Sequence, residues 1–405
     1  MINIEDKIKC CGCTACVNIC PKNCITMYPD LEGFLYPDVD TNICIDCSAC
    51  ERICPIEGIQ IHGAQTVEIY GCQNKDILIR TKSTSGGFFS ALAVQILRMG
   101  GIVFAAGYSD SMNVIHKKAT KIDELNDLYG SKYVQSDLST IFTEIRNMLS
   151  KKEIVLFVGT PCQVEGLLHF LGDKKNDLLY TADFVCYGVA SPKLYREWLN
   201  QLEDKYQCNI SYINFRDKKY GYAGVNCKVD FANGKILQDK FEAKSFLKTM
   251  FSHFGLRPSC YECQFRSRLK ICDFTMGDMW EIGQYDINMD DDRGTTNLQI
   301  NTIKGKKIFE TIKRDLNFCF IDLLSGVQLE EKSRKNAKKI EVPKQREEFF
   351  KDSVSMNYSF LIQKYLPQSI KESAASILKP LIVKVPHSQV FFRTLKRLKM
   401  NKTKR

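Results

Sequence analysis

Two tandem copies of one cysteine pattern constrain this chain more than any other feature. Cys10, Cys13, Cys16 and Cys20 precede Pro21, and Cys44, Cys47, Cys50 and Cys54 precede Pro55. Both read C-x2-C-x2-C-x3-C-P, the spacing of bacterial two-cluster ferredoxins, in which the fourth Cys of each run ligates the other cluster. The pattern assigns one [4Fe–4S] cluster to Cys10, Cys13, Cys16 and Cys54. It assigns a second to Cys44, Cys47, Cys50 and Cys20. Each Pro ends its turn by fixing φ and removing a backbone donor. Zinc usually takes two separated pairs rather than three closely spaced thiols and a fourth, and a disulfide framework would need an oxidising compartment. Cys11 and Cys24 fall outside the pattern and read as packing or spare thiols.

The 405 residues are enough for two or three domains. Met1 to Lys9 is polar and mixed in charge, unlike a signal peptide, and no stretch approaches the ~20 apolar residues of a membrane span. With 19 cysteines, this leads us to expect a reducing, cytoplasmic setting and metal chemistry. The net charge of +10 is uneven: Glu331 to Arg405 carries +13 and the rest of the chain −3. No nucleic-acid motif accompanies the basic tail, so no specific nucleic-acid partner is expected. Contact with an acidic partner or a peripheral membrane face suits it at least as well.

Between the Cys runs, Ile25 to Val39 reads as a hairpin. Val67 to Cys72 reads as a strand opening a second domain. Ser83-Thr84-Ser85-Gly86-Gly87 then precedes a helical pattern over Phe88 to Arg98. Hydroxyls and glycines at a helix N-terminus suit a phosphate, and equally a capped turn. Lys132 and Tyr133 lie in Gly130-Ser131-Lys132-Tyr133-Val134-Gln135-Ser136. That segment suits a flavin phosphate or ring, or an ordinary surface loop. Glu153 to Gly159 reads as a strand. Thr160 is a natural N-cap and Pro161 a natural first residue for a helix through Leu171. Cys162 then sits in a first turn, where the helix dipole favours a thiolate. A helix from Ser191-Pro192 to about Tyr206 precedes β-structure over Ile210 to Gln238, turning at Asn233-Gly234. A helix over Phe241 to Phe254 leads to Cys260-x2-Cys263 and Cys272. Cys162 and Cys186 lie at strand ends of an α/β pattern, where ligand sites gather, so these thiols read either as a metal site or as buried free cysteines. Arg216, Lys218 and Lys219 suit an anionic substrate or a solvated hairpin, and His116 and Asp278 are candidate acids. No residue is singled out as catalytic.

Taken in order, the set resembles the coenzyme F420 hydrogenase/dehydrogenase beta-subunit family in its bacterial form with an N-terminal ferredoxin module. Ser83 to Phe89, Gly130 to Ser136, Gly159-Thr160-Pro161-Cys162-Gln163, Asp183 to Gly188, Arg257 to Cys263 and Gly277-Asp278-Met279-Trp280 carry the resemblance. It implies an FAD facing Ser83, Ser85, Gly86, Gly87, Lys132, Tyr133 and Thr160. It also implies a third [4Fe–4S] cluster on Cys162, Cys186, Cys260 and Cys263, with Cys272 an alternative ligand because relatives usually carry a small residue there. The fold class expected is an α+β ferredoxin-like module (1–60), then an α/β flavin and iron–sulfur domain in two regions (61–150 and 151–325), then a basic helical tail (326–405). The activity implied is that of an iron–sulfur flavoprotein oxidoreductase. It passes electrons between a ferredoxin or other redox partner protein and a small-molecule substrate, such as a deazaflavin. The alternative is a non-catalytic subunit delivering electrons to a partner enzyme.

Overall fold

The repeated Cys run folds as a repeat. In each copy the residue after the second Cys, Thr14 or Ser48, turns left-handed and opens a short helix carrying the third Cys: α1 (Ala15–Ile19) and α2 (Ala49–Arg52). Between them β1 (Ile25–Pro29) and β2 (Leu35–Val39) form an antiparallel hairpin with Ile25 opposite Val39. Asp30 closes the turn by accepting from the backbone N–H groups of Glu32 and Phe34 at 3.0 Å each. The interior of this module is small, built from Ile2, Cys16, Cys24, Ile25 and Cys50. A core this size buries little apolar surface and depends on further cross-links for stability. The computed structural model describes residues 1–58, 66, 68–172, 176–222, 226–266, 268, 270–322, 340–370 and 372.

The second body is a mixed eight-stranded sheet with helices on its faces. Along the chain come β3 (Glu68–Asn74), α3 (Ile77–Lys82), α4 (Phe88–Arg98), β4 (Ile102–Tyr108), β5 (Val114–Ala119), α5 (Ile141–Ser150), β6 (Val155–Val158), α6 (Pro161–Leu171), β7 (Leu179–Phe184) and α7 (Pro192–Tyr206). Then follow β8 (Ile210–Asn214), β9 (Lys228–Phe231), β10 (Ile236–Gln238), α8 (Phe241–Phe251), α9 (Pro258–Tyr261), β11 (Phe274–Asp278), β12 (Thr296–Ile300), α10 (Ile303–Ile312) and β13 (Leu316–Ile321). The sheet order is β13-β3-β12-β11-β7-β6-β4-β5, so regions 61–150 and 151–325 contribute to one sheet. The inner strands β4, β6, β7 and β11 run parallel, flanked by antiparallel pairs. A parallel strand covered on both faces needs continuous apolar sequence, and all four residues of β6 are buried. The carboxyl ends of these parallel strands open on one edge, where open α/β sheets place their ligands.

A second sheet, β10-β9-β8, turns at Asn233-Gly234, where Gly234 takes φ +83°. It packs with α7 and α8 around Trp198, Phe215 and Phe246, the rings of Trp198 and Phe246 stacking at 5.6 Å. Beyond residue 340 two short helices, Arg346–Asp352 and Tyr358–Tyr365, seat Phe349 and Leu361 against Leu194. Arg346 forks onto Glu32 of the hairpin turn through Nη1–Oε1 (2.7 Å) and Nη2–Oε2 (2.5 Å) and donates to the Tyr261 hydroxyl at 2.8 Å. Of the expected basic helical tail, residues 326–339, 371 and 373–405 lie outside the described residues. Among the described residues no helix is long and apolar enough to cross a membrane.

Candidate functional site

The eight ferredoxin-type cysteines separate into two groups, each drawn from both runs. Burial, and after it the neighbouring charges of Cys10 and Cys54, push the Cys16 thiol far up. Burial leads the upward shift of Cys54 too, and Cys10 is among its neighbours. Cys54 therefore lies near the first run, and Cys50 is also among the neighbours of Cys16. Cys20 lines one cavity with Cys44, Cys47 and Cys50 of the second run. Cys24 joins this outer group, its Sγ lying 3.4 Å from Cys20 Sγ. Two backbone N–H groups already aim at outer sulfurs, Ile2 at Cys50 (3.3 Å) and Asp46 at Cys44 (3.4 Å). Cys47 is exposed and, of Cys20, Cys44, Cys47 and Cys50, Cys50 alone is buried, whereas Cys13 and Cys16 are both buried and no thiol of the first group is exposed. The first group is therefore the inner one.

The inner group faces the sheet domain. Cys13 lies against Gly166 in α6, where an added Cβ would stand 2.8 Å from Cys13 Cβ and 2.9 Å from its Sγ. Asn18 of α1 locks onto α5, accepting from the Thr143 N–H at 3.0 Å and donating to the Ser139 carbonyl at 2.9 Å. Gln135 donates to the Cys11 carbonyl at 3.3 Å. Arg268 donates to the Pro55 carbonyl at 3.0 Å.

A third group of thiols lies in the sheet domain. Burial, followed by the charges of Cys260, Cys162 and Cys263, pushes the Cys186 thiol well above its ordinary value. Burial pushes Cys260 up to about 12, with Cys263 and Cys162 again among its neighbours. The helix dipole does not win at Cys162: a hydrogen bond with Cys11, then burial, drive its thiol well up. The Thr160 hydroxyl touches Cys162 Sγ at 3.1 Å. The Thr160 N–H is capped instead by Gln163 Oε1 at 3.0 Å. Cys272 stands apart. Its buried Sγ donates to the Phe274 carbonyl at 3.1 Å and lies 3.5 Å from the Thr275 hydroxyl. Cys11, a spare thiol by its spacing, is the surprise. Its thiol lies near both Cys13 of the inner group and Cys162 of the third, and both neighbours shift it, with a net push well upward. Among the described residues no three His, Cys, Asp or Glu side chains gather as a single ion requires. The thiols of a four-iron cluster bind separate irons and need not converge on one point.

The third group opens into a cavity of about 930 Å³ at the carboxyl ends of the parallel strands. Its far wall is the loop before α4, contributing Ser83, Thr84, Ser85 and Gly87, together with Gly130 to Val134. The two loops are tied by the Ser131 N–H donating to Thr84 Oγ1 at 2.6 Å. Gly87, at φ +86°, opens α4 and leaves that helix's first N–H groups at the cavity wall. Gly86 has a different task. A side chain there would collide with the Cys72 carbonyl and the Thr296 amide, so Gly86 lets the loop lie on β3 and β12 and does not line the cavity. Ser83 Oγ is used on the Ile79 carbonyl (2.9 Å) and Ser85 Oγ on the Thr295 carbonyl (2.7 Å). Lys132 is 5% exposed. Its ammonium donates to the Tyr129 and Gly130 carbonyls at 2.9 and 3.1 Å, and burial pushes its pKa down to about 7. Tyr133 adopts φ +56°, uncommon for an aromatic residue, and accepts from Arg216 Nη1 at 3.2 Å.

Arg216 also pairs with Asp278 at 3.0 Å and lies over the stacked rings of Tyr222 and Trp280. Its buried Nη2 has no hydrogen-bond partner among the described residues. Lys218 is committed elsewhere, donating to the Arg80 and Ser85 carbonyls at 2.6 Å each. His116 is buried between the Val158 carbonyl (3.1 Å) and the Ser136 hydroxyl (3.0 Å), and burial lowers its pKa to about 4. A neutral, doubly bonded imidazole is no proton donor near pH 7, and Asp278 is occupied by Arg216.

Fold and thiol pattern together define an iron–sulfur electron-transfer protein whose N-terminal module binds [4Fe–4S] clusters. Residues 9–58 match the family model for a 4Fe-4S dicluster domain. Residues 152–322 match the model for the C terminus of the coenzyme F420 hydrogenase/dehydrogenase beta subunit, which supports the resemblance to that family. Among solved structures, a chain of the xenon-derivatised F420-reducing [NiFe] hydrogenase complex from Methanosarcina barkeri is 18% identical. That likeness covers 74% of this chain and 97% of that one, with a TM-score of 0.45. No curated protein matches.

Two outcomes are expected. Gly166→Val should drive α6 off Cys13 and cost about four iron per anaerobically purified chain. Unchanged iron would contradict the close seating. For Lys132, the sign follows from its lowered pKa. Between pH about 7 and 10.5 the unfolded chain holds a proton that the folded chain lacks, so stability rises with pH across that window. Raised thiols titrate in the opposite sense in the metal-free protein, so the Lys132 contribution is read as a difference: between pH 7 and pH 9 the Tm of wild type should gain on that of Lys132→Met. The same pH shift of Tm in both proteins would contradict it.

Proposed function

We propose that this chain is an iron–sulfur flavoprotein that passes electrons between a ferredoxin-type donor and a small anionic or carbonyl-bearing substrate, a deazaflavin being the one the family name suggests. The observation that carries the reading is one cavity lined by Cys162, Cys186, Cys260 and Cys263, with Cys11 beside them, and by the α4 N-terminal loop with Lys132. In this reading Cys162, Cys186, Cys260 and Cys263 hold a third [4Fe–4S] cluster, and the eight N-terminal cysteines hold two more. FAD is the expected occupant between them. When bound, such a flavin exchanges single electrons with clusters and electron pairs with substrates.

The residues present fit these groups. Volume of this order suits a large cofactor. Gly87 and the first turn of α4 present backbone N–H groups and a positive dipole end to a phosphate. Lys132 is buried with two carbonyls as hydrogen-bond partners and the Tyr108 ring beside it, so an anion near it would relieve the cost of holding its charge away from water. Thr160 orients the Cys162 sulfur. On the substrate side, Arg216 keeps one buried N–H group in hand while Asp278 and Tyr133 hold its plane fixed. That group suits an oxygen of the substrate. Exposure orders the N-terminal groups: a donor meets Cys47 and its neighbours, and the inner group faces the sheet domain.

Cysteine substitution tests the assignment. Cys186→Ala should lose about four iron per chain and slow the reduction of bound FAD by reduced ferredoxin at least tenfold. Cys272→Ala should keep both its iron and its rate. Loss of iron in Cys272→Ala with Cys186→Ala intact would overturn the ligand set. Full iron in both, with no flavin retained by either, would overturn the flavoprotein reading.

A further inference from the structure

Arg257 is a buried charge without a counter-charge. Its side chain is fully buried, and among the described residues no carboxylate lies within ion-pair distance of it. Nε donates to the Cys10 carbonyl (2.8 Å), Nη1 to Gln135 Oε1 (2.7 Å), and Nη2 to the Leu35 carbonyl (3.0 Å) and Cys10 Sγ (3.5 Å). The Tyr36 ring lies 4.3 Å from the guanidinium carbon. Gly12 in the Cys run adopts φ +69°, and a side chain there would stand 2.9 Å from Arg257 Nη1. On its other side the residue belongs to the third thiol group: its carbonyl accepts from the Cys260 N–H at 2.9 Å. One residue thus holds Cys10 with its side chain and Cys260 with its backbone.

Neutral partners satisfy the N–H groups of a buried guanidinium but do not balance its charge, and a buried charge left unbalanced is costly. The anionic atom in reach is the sulfur of Cys10. A cubane held by four thiolates carries net negative charge, which grows by one on reduction with no bond made or broken. Net charge and hydrogen bonds to sulfur are what set such potentials.

We propose that Arg257 is the built-in counter-charge of the inner cluster, a positioning residue that raises the potential of that cluster relative to the outer one. Electrons entering at the exposed outer group are thereby drawn inward, to the side from which Cys11 reaches Cys162. The proposal rests on the inner cluster alone, so it stands or falls separately from the flavin and the third cluster.

The test is an EPR-monitored redox titration of the full chain, reconstituted anaerobically. The inner signal is the one lost in Cys16→Ser and the outer signal the one lost in Cys47→Ser. In Arg257→Gln the ratio of reduced to oxidised inner cluster, read at the wild-type midpoint, should fall at least tenfold, about 59 mV for a one-electron couple. The outer midpoint should not move. Arg257→Lys, which keeps the charge and loses the planar fork, should retain most of the wild-type ratio. Gln135→Leu, which removes a neutral anchor, should leave the inner midpoint in place. An unchanged inner midpoint in Arg257→Gln with full iron would overturn the proposal. If Arg257→Gln cannot hold its inner iron, a tenfold fall in Arg257→Lys would overturn it instead.

Discussion

The seating of the inner thiols against the sheet domain is the constraint on which the rest of this structure depends. Cys13 packs on Gly166, Cys10 lies under the buried guanidinium of Arg257, and Cys11 reaches from Cys13 to Cys162. A module with so small a core would otherwise be a loosely tethered ferredoxin. Here hydrogen bonds from Asn18, Gln135, Arg257 and Arg268, with the Glu32–Arg346 fork, fix it in one orientation. That orientation turns the duplicated Cys pattern from a symmetric pair into an ordered one, with an outer and an inner member.

The sheet supplies the second half of the arrangement. Its parallel strands end on one edge: Cys162 in the first turn of α6 follows β6, Cys186 follows β7, and Asp278 ends β11. Loops from β3 and β5 bring Ser85, Gly87, Lys132 and Tyr133 to the same edge. The cavity therefore joins residues far apart in sequence because one edge of one sheet collects them. Burial does the electrostatic work there: it lowers Lys132, neutralises His116 and raises the thiols.

Local signals in the chain are legible because their physics is local. Pro161 after Thr160 and Pro192 after Ser191 set helix starts, and Asn233-Gly234 set a hairpin turn. The Cys spacing predicts which thiols share a cluster, and Cys20 lies beside Cys44, Cys47 and Cys50 around one small cavity. What escaped a linear reading is long-range. Gly86 looked like a phosphate-loop glycine and is instead pressed against β3 and β12. Cys11 looked spare because its partners, Cys13 and Cys162, meet only after the module docks. Gly166 and Arg257 gave no signal of their role, since nothing in a helix glycine or an Arg-Pro step names a neighbour some 150 or 250 positions away. Lys218 was grouped with Arg216 as a substrate cation, but two backbone carbonyls occupy it.

The measurement that tests this account most directly is cofactor stoichiometry: iron, acid-labile sulfide and released flavin per chain on anaerobically purified protein. About twelve iron and one FAD are expected if three four-iron clusters serve one flavin. About eight iron and no flavin would contradict the account, leaving a two-cluster ferredoxin module seated on a sheet domain whose cavity serves another purpose.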